Sequence, residues 1–215
     1  MAKNSWSHPE GHRYFDGENG SCAGQAPPKI HETAIVEYPC EIGFGTTIMQ
    51  YTHVMANSLI GYDCTIHEHV TLSPGVLIGN HVELSANVHL TSGVILEDNV
   101  FCGTSTTFET LKFIRAGRNN VSSLQPSVVR TGAMIGPNTT IAAGFTIGKH
   151  AFIEAGSVVD QHVPNYAIIQ GNPCHLIGWR CACGNLLNFI FEQTSCQSCD
   201  SRYKRRSDRE ILALS

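Results

Sequence analysis

Every sixth residue from Ile30 to Phe108 is apolar: Ile30, Val36, Ile42, Ile48, Val54, Ile60, Ile66, Leu72, Ile78, Leu84, Leu90, Leu96, Cys102 and Phe108. With 42% of the chain apolar, fourteen successive hits in one register have a chance probability on the order of 10⁻⁵, even allowing six registers. After a gap the beat returns at Val129, Ile135, Ile141, Ile147, Ile153 and Val159. An ordinary β protein with alternating strands would show period two and no fixed period six.

Two positions before many beats stands a small or β-branched residue, such as Val70, Val76, Val82, Val88, Val94 or Val100. Side chains two apart share a strand face, so both positions point inward. Gly43, Gly61, Gly79, Gly103, Gly136 and Gly148 follow beats directly, and unusual backbone angles at the corners are the expected reason. Three six-residue faces make one triangular coil. The twenty beats predict an all-β, parallel β-helix of six to seven coils, about 30 Å long at about 4.8 Å per coil. Few aromatics and 20 glycines suit such short strands and tight corners.

From Phe108 to Val129 the spacing is not a multiple of six, so residues 109–128 must leave the prism at least in part. Long loops of this kind are commonly functional. Residues 1–29 lack the repeat and are expected to form a poorly ordered or peripheral extension. The domain reading is therefore an extension over 1–29, a β-helix over 30–178 with its loop at 109–128, and a separate segment over 179–215.

The prism ends in Val163-Pro-Asn-Tyr-Ala and then Gly171-Asn-Pro-Cys-His-Leu-Ile-Gly178. This resembles the closing sequence of hexapeptide-repeat acyltransferases, with Cys174 and His175 where Ala and Arg or Lys are usual. The resemblance covers residues 30 to about 178. It implies a left-handed β-helix, a homotrimer, and acyl-CoA lying in a groove between neighbouring prisms. Within residues 82–115, Asn87, Gly93, Glu97, Asp98, Val100, Phe101, Gly103, Phe108 and Arg115 resemble the nucleotide-linked 3-amino-sugar N-acetyltransferases, whereas Thr104, Thr110 and Leu111 depart from them.

That resemblance implies transfer of an acetyl or other short acyl group from acyl-CoA to the amine of a nucleotide-linked amino sugar. The chemistry needs a neutral amine beside the thioester and a donor for the developing oxyanion. An amine titrating at roughly 8 costs only about 1.4 kcal/mol to deprotonate at pH 7, so a strong base is helpful but not mandatory. Asn87 would orient the amine and His89 would serve as auxiliary base. His53, Asp98 and Arg115 would bind substrate. Arg130, Gly132, Ala133, Ala143 and Lys149, with Asn172 and Pro173, would bind acetyl-CoA through small residues and cations.

Four of the nine cysteines cluster as Cys181-x-Cys183 and Cys196-x-x-Cys199. Two thiolate pairs suit tetrahedral zinc, and four thiolates leave no open position, so a metal here would be structural. Residues 185–195 read as a short β-ribbon, and the stretch from Lys204 to Glu210 as a solvated terminal helix. The scattered cysteines read as buried thiols in a reducing, cytoplasmic setting. A formal charge of −4 with 15% charged residues implies no nucleic-acid surface, and no apolar run approaches the roughly 18 residues of a membrane span. Two alternatives share the prism. A non-catalytic trimeric scaffold is one. The other is a γ-carbonic-anhydrase-like metalloenzyme drawing on His67, His69, His81 or His89, for which the expected His-x₄-His pair is absent.

Overall fold

The computed structural model describes residues 6–7, 13–15, 26–109 and 125–214. Short strands close into a prism with three parallel faces. The first face begins at Lys29–Ile30, the second at Ile35–Val36 and the third at Glu41–Gly43. From Lys29 to Thr107 strands pair eighteen residues apart, as His53 with Thr71 and Thr71 with His89. The second face has seven strands, one per coil. All-β architecture and repeat period are as the spacing predicts.

The beat residues fill the interior: Ile42, Val54, Ile66, Leu72, Leu84, Leu90, Phe108, Val129 and Ile141 are fully buried. The valines two positions earlier join them. Where that inner position holds Thr or Ser, the hydroxyl donates to a corner carbonyl, as Thr46 does to Gly61 at 2.8 Å and Thr52 to His67 at 2.8 Å. Buried hydroxyls are therefore satisfied. Cys40, Cys64, Cys102 and Cys174 are buried and unpaired, and burial pushes the Cys64 thiol up to about 11 and the Cys102 thiol up to about 12.

The glycines after the beats have a different reason from the expected one. None of the six carries a positive φ. They sit where successive coils touch: a Cβ on Gly61 would lie 2.4 Å from the Gly79 carbonyl oxygen. The left-handed corner positions fall elsewhere and are mostly held by polar or aromatic residues, including Tyr51, Asp63, His69, His81, Asn87 and Asn99. Asn and Asp tolerate that region because their short side chains bond locally.

At the periphery the structure adds detail to two sequence expectations and corrects two others. Part of residues 1–29 is built into the fold, since Arg13–Phe15 extends the third face by pairing with Glu41–Gly43, and Trp6–Ser7 pairs with it in turn. Of the segment 109–128, Glu109 still donates to Ile141 and Val128–Val129 is a third-face strand paired with Ile95–Leu96. That pairing spans one coil plus fifteen residues, and residues 110–124 lie outside the described residues. The stretch from Lys204 to Glu210 is not helical. Arg202–Ser207 and Glu210–Leu214 form an antiparallel hairpin, because alternation buries Tyr203 and Ile211. Likewise residues 185–195 do not form one ribbon: Leu186–Leu187 pairs with Trp179 and Arg180, and Gln193–Ser195 with the terminal hairpin. No helix among the described residues is long and apolar enough to cross a membrane.

Candidate active site

Two separate corners gather the chemistry-bearing residues. On the second face, outward positions form the column His53, Thr71, His89 and Thr107. His53 and His89 are thus two coils apart, about 10 Å. Asn87 stands at the corner that leads onto this face, exposed and left-handed, with its backbone N–H donating to Glu68 at 3.1 Å. Its side chain holds no described partner. The insertion leaves the prism just past Thr107–Phe108, at the edge of the same face. His53 shares a 2.8 Å hydrogen bond with Glu37, whose other oxygen accepts the Ala56 N–H. The Ala56 amide first, then His53, hold the Glu37 carboxyl below its ordinary range.

The corner between the third and first faces carries Asp98, Arg130, Gly132 and Lys149. Here side chains cap amides of the neighbouring coil: Asn80 accepts from Tyr62, Asp98 from Asn80 at 2.7 Å, and Asn165 from Lys149 at 2.8 Å. Asp98 is committed to this ladder and lies at the corner of the acyl-donor candidates, away from Asn87. Gly132 must be glycine, with φ +70° and a Cβ position only 2.3 Å from His150 Nδ1. His150 in turn stacks on Tyr166 at 5.5 Å. Desolvation, aided by Lys149, lowers its pKa.

Glu97 organises this corner. It accepts from Arg130 at 2.6 Å and from both the N–H and the hydroxyl of Thr131 at 2.9 Å. Burial opposes its ionisation, but the Thr131 and Arg130 hydrogen bonds outweigh it and lower the pKa. A depressed carboxylate stabilises the fold above its unfolded pKa, and the contribution fades as pH falls through the folded value. Glu97→Gln is therefore expected to cost about 1 kcal/mol at pH 7. Urea midpoints of variant and wild type should converge toward pH 3.

Other sequence candidates are dispersed. Ala133 is buried in the core with its methyl group inward, so only its backbone could meet a ligand, whereas Ala143 is buried at a corner outside the core cluster. Ala143 also belongs to the third corner, between the second and third faces. Asn172 and Pro173 are exposed in the turn that joins Ala167–Gln170 to His175–Arg180. Arg115 lies outside the described residues. Glu37 and Glu97 escaped the candidate set although the repeat could have exposed them, as Glu37 sits on a diagonal to His53 one coil on and Glu97 stands level with Arg130 across the insertion.

The four C-terminal cysteines converge. Their sulfurs all lie within 4.8 Å of one another, with Cys181–Cys199 and Cys183–Cys196 each at 3.4 Å. A zinc tetrahedron with bonds of about 2.3 Å has sulfur–sulfur edges of about 3.8 Å, so the donor set fits. The Ser198 N–H, followed by that of Cys199, brings the Cys196 thiol down to about 6 against the effect of burial. Cys199 is lowered as well, first by the Ser201 hydroxyl. Tyr203 donates its hydroxyl to Cys181 Sγ at 3.1 Å and packs edge-on to Tyr166, joining this unit to the prism. No histidine-based group of three ligands occurs among the described residues of one chain.

Residues 126–161 match the bacterial transferase hexapeptide (six repeats), and residues 56–92 match the hexapeptide repeat of succinyl-transferase. A dTDP-3-amino-3,6-dideoxy-alpha-D-galactopyranose 3-N-acetyltransferase from Aneurinibacillus thermoaerophilus is 46% identical over 78 residues, which is 36% of this chain and 40% of that protein. A 2,3,4,5-tetrahydropyridine-2,6-dicarboxylate N-acetyltransferase from Staphylococcus aureus (strain Newman) is 36% identical over 64 residues, covering 30% of this chain and 27% of that protein. The chain thus spans less than half the length of these curated relatives. Among solved structures, a UDP-N-acetylglucosamine acyltransferase from Bacteroides fragilis 9343 shares the fold, with TM-score 0.61 and 20% identity over 72% of this chain and 62% of that one. Prism, period and relatives agree: the chain carries the hexapeptide repeats of bacterial transferases and resembles the nucleotide-linked amino-sugar N-acetyltransferases.

Proposed function

We propose that the protein transfers an acetyl group from acetyl-CoA to the amine of a nucleotide-linked amino sugar. The observation that carries this reading is the 46% identity to the amino-sugar 3-N-acetyltransferase, held on a prism of matching repeats. In the reaction the neutral amine attacks the thioester carbonyl, forming the C–N bond and an oxyanion. Collapse breaks the C–S bond, and the proton from nitrogen goes to the departing thiolate. Asn87 orients the amine and His89 assists proton removal. His53, held by Glu37, and Arg115 contact the sugar nucleotide, and Asp98 positions the donor corner. Arg130 and Lys149 meet phosphates of the donor, with the backbone around Gly132, Ala133, Ala143, Asn172 and Pro173 beside the pantetheine.

The acceptor and donor candidates occupy different corners of one prism, so a site that unites them takes two copies. This supports a homotrimer, as does the outward apolar stripe of Leu59, Leu77, Ile95 and Val128 on the third face. A structural zinc held by Cys181, Cys183, Cys196 and Cys199 supplies no reaction step; it fixes the C-terminal unit. The free thiols suit a cytoplasmic setting.

Asn87→Ala is expected to lower kcat about 10²-fold with the KM for acetyl-CoA changed little, as loss of orientation alone can produce. Thiol release with UDP- and dTDP-linked amino sugars measures it. Equal turnover in the variant removes Asn87 from the site. Absent turnover and absent CoA binding favour a second reading, a trimeric scaffold that binds through the exposed Leu186, Ile190 and Phe191 of the C-terminal unit.

A further inference from the structure

The final coil and the C-terminal hairpin line an open cavity of about 330 Å³. The prism contributes His162 and His175 to its wall, and the turn of the hairpin contributes Arg209. His162 accepts the Thr146 N–H on Nδ1 at 3.1 Å, so a neutral ring carries its proton on Nε2 and can donate it to a ligand. The ring of His175 lies against Gly171, whose lack of a side chain leaves room for it: a Cβ there would stand 3.1 Å from His175 Cε1. Among the described residues nothing engages the Arg209 guanidinium, although its backbone N–H donates to Ser207 at 3.2 Å. The acidic group on this wall is Asp208. A second cavity of about 380 Å³ shares His162 and continues to Arg130, with Glu210 on its rim. His162 is common to the two cavities, with His175 and Arg209 on the first and Arg130, paired to Glu97, on the second.

We propose that the C-terminal hairpin completes an anion site, in which Arg209 with His162 and His175 binds a phosphate group of the acyl donor. The claim rests on the acyl-CoA reading above and assigns the appended unit a part in donor binding. A guanidinium and two imidazole rings lining one cavity suit a phosphate, which has several acceptor oxygens. The hairpin is tied to the cysteine cluster through Tyr203 and Cys181, so the order of that cluster sets where Arg209 stands.

Calorimetric titration of the full zinc-loaded chain with CoA tests the site. Arg209→Ala is expected to weaken CoA binding on the order of tenfold, the scale of one charge-assisted hydrogen bond. Arg209→Lys should recover part of the loss, and pantetheine, which has no phosphate, should not distinguish the variants. CoA binding within twofold of wild type in Arg209→Ala overturns the proposal. If the wild type fails to bind CoA, the transferase reading fails separately, and pyrophosphate becomes the probe. Pyrophosphate binding lost in Arg209→Ala keeps the anion site, whereas no pyrophosphate binding to the wild type overturns it.

Discussion

Leu84→Ala is expected to lower the unfolding free energy by about 3–4 kcal/mol. Leu84 is fully buried on the first face, between Ile66 in the coil before and Cys102 in the coil after. In a prism each coil touches only its neighbours, so few side chains can move into the space that the substitution opens. The cost is therefore the lost transfer energy together with most of a cavity term. Met134→Ala is the control, because Met134 is an outward residue of the first face, 40% exposed, and removing it should cost under about 1 kcal/mol. Denaturant midpoints and slopes measure both. Equal losses would mean that the six-residue beat does not mark the interior.

With zinc proposed at the four C-terminal thiols, metal removal is expected to have the second large effect. The unit from Cys181 onward buries few large side chains, chiefly Leu187, Tyr203 and Ile211. Structural zinc bound by thiolates contributes about 10–16 kcal/mol in small domains at pH 7, far more than so small a core can supply. Chelation, or Cys196→Ser, is expected to abolish a one-per-chain zinc content. Amide exchange should then rise by orders of magnitude across the hairpin while the prism from Ile42 to Val159 keeps its protection. A purified chain without metal whose hairpin stays as protected as before would refute a metal-built unit.

The prism is legible in the sequence because its interior is one-dimensional. A single period specifies inward and outward for each coil, and the parallel pairing of His53, Thr71 and His89 is the period written in space. The corner glycines show the limit of that logic. Their sequence position was readable but their cause was not, since the clash at Gly61 comes from the next coil and the positive φ is carried by residues such as Asp63. The terminal hairpin reads as a helix in the sequence because charge in the Lys204–Arg206 stretch masks the alternation that buries Tyr203 and Ile211. Candidate site residues were readable one by one. Their division between two corners was not, because it depends on which face each coil position occupies. Arg209 gave no local signal at all; it matters through the cavity that it shares with His162 and His175.

Amine acetylation is tested most directly by mass spectrometry of nucleotide-linked amino sugars incubated with the protein and acetyl-CoA. One acetyl group is expected on the sugar amine, with an equal amount of free CoA thiol. Unmodified sugars throughout the panel, in the presence of protein that binds acetyl-CoA, would contradict it.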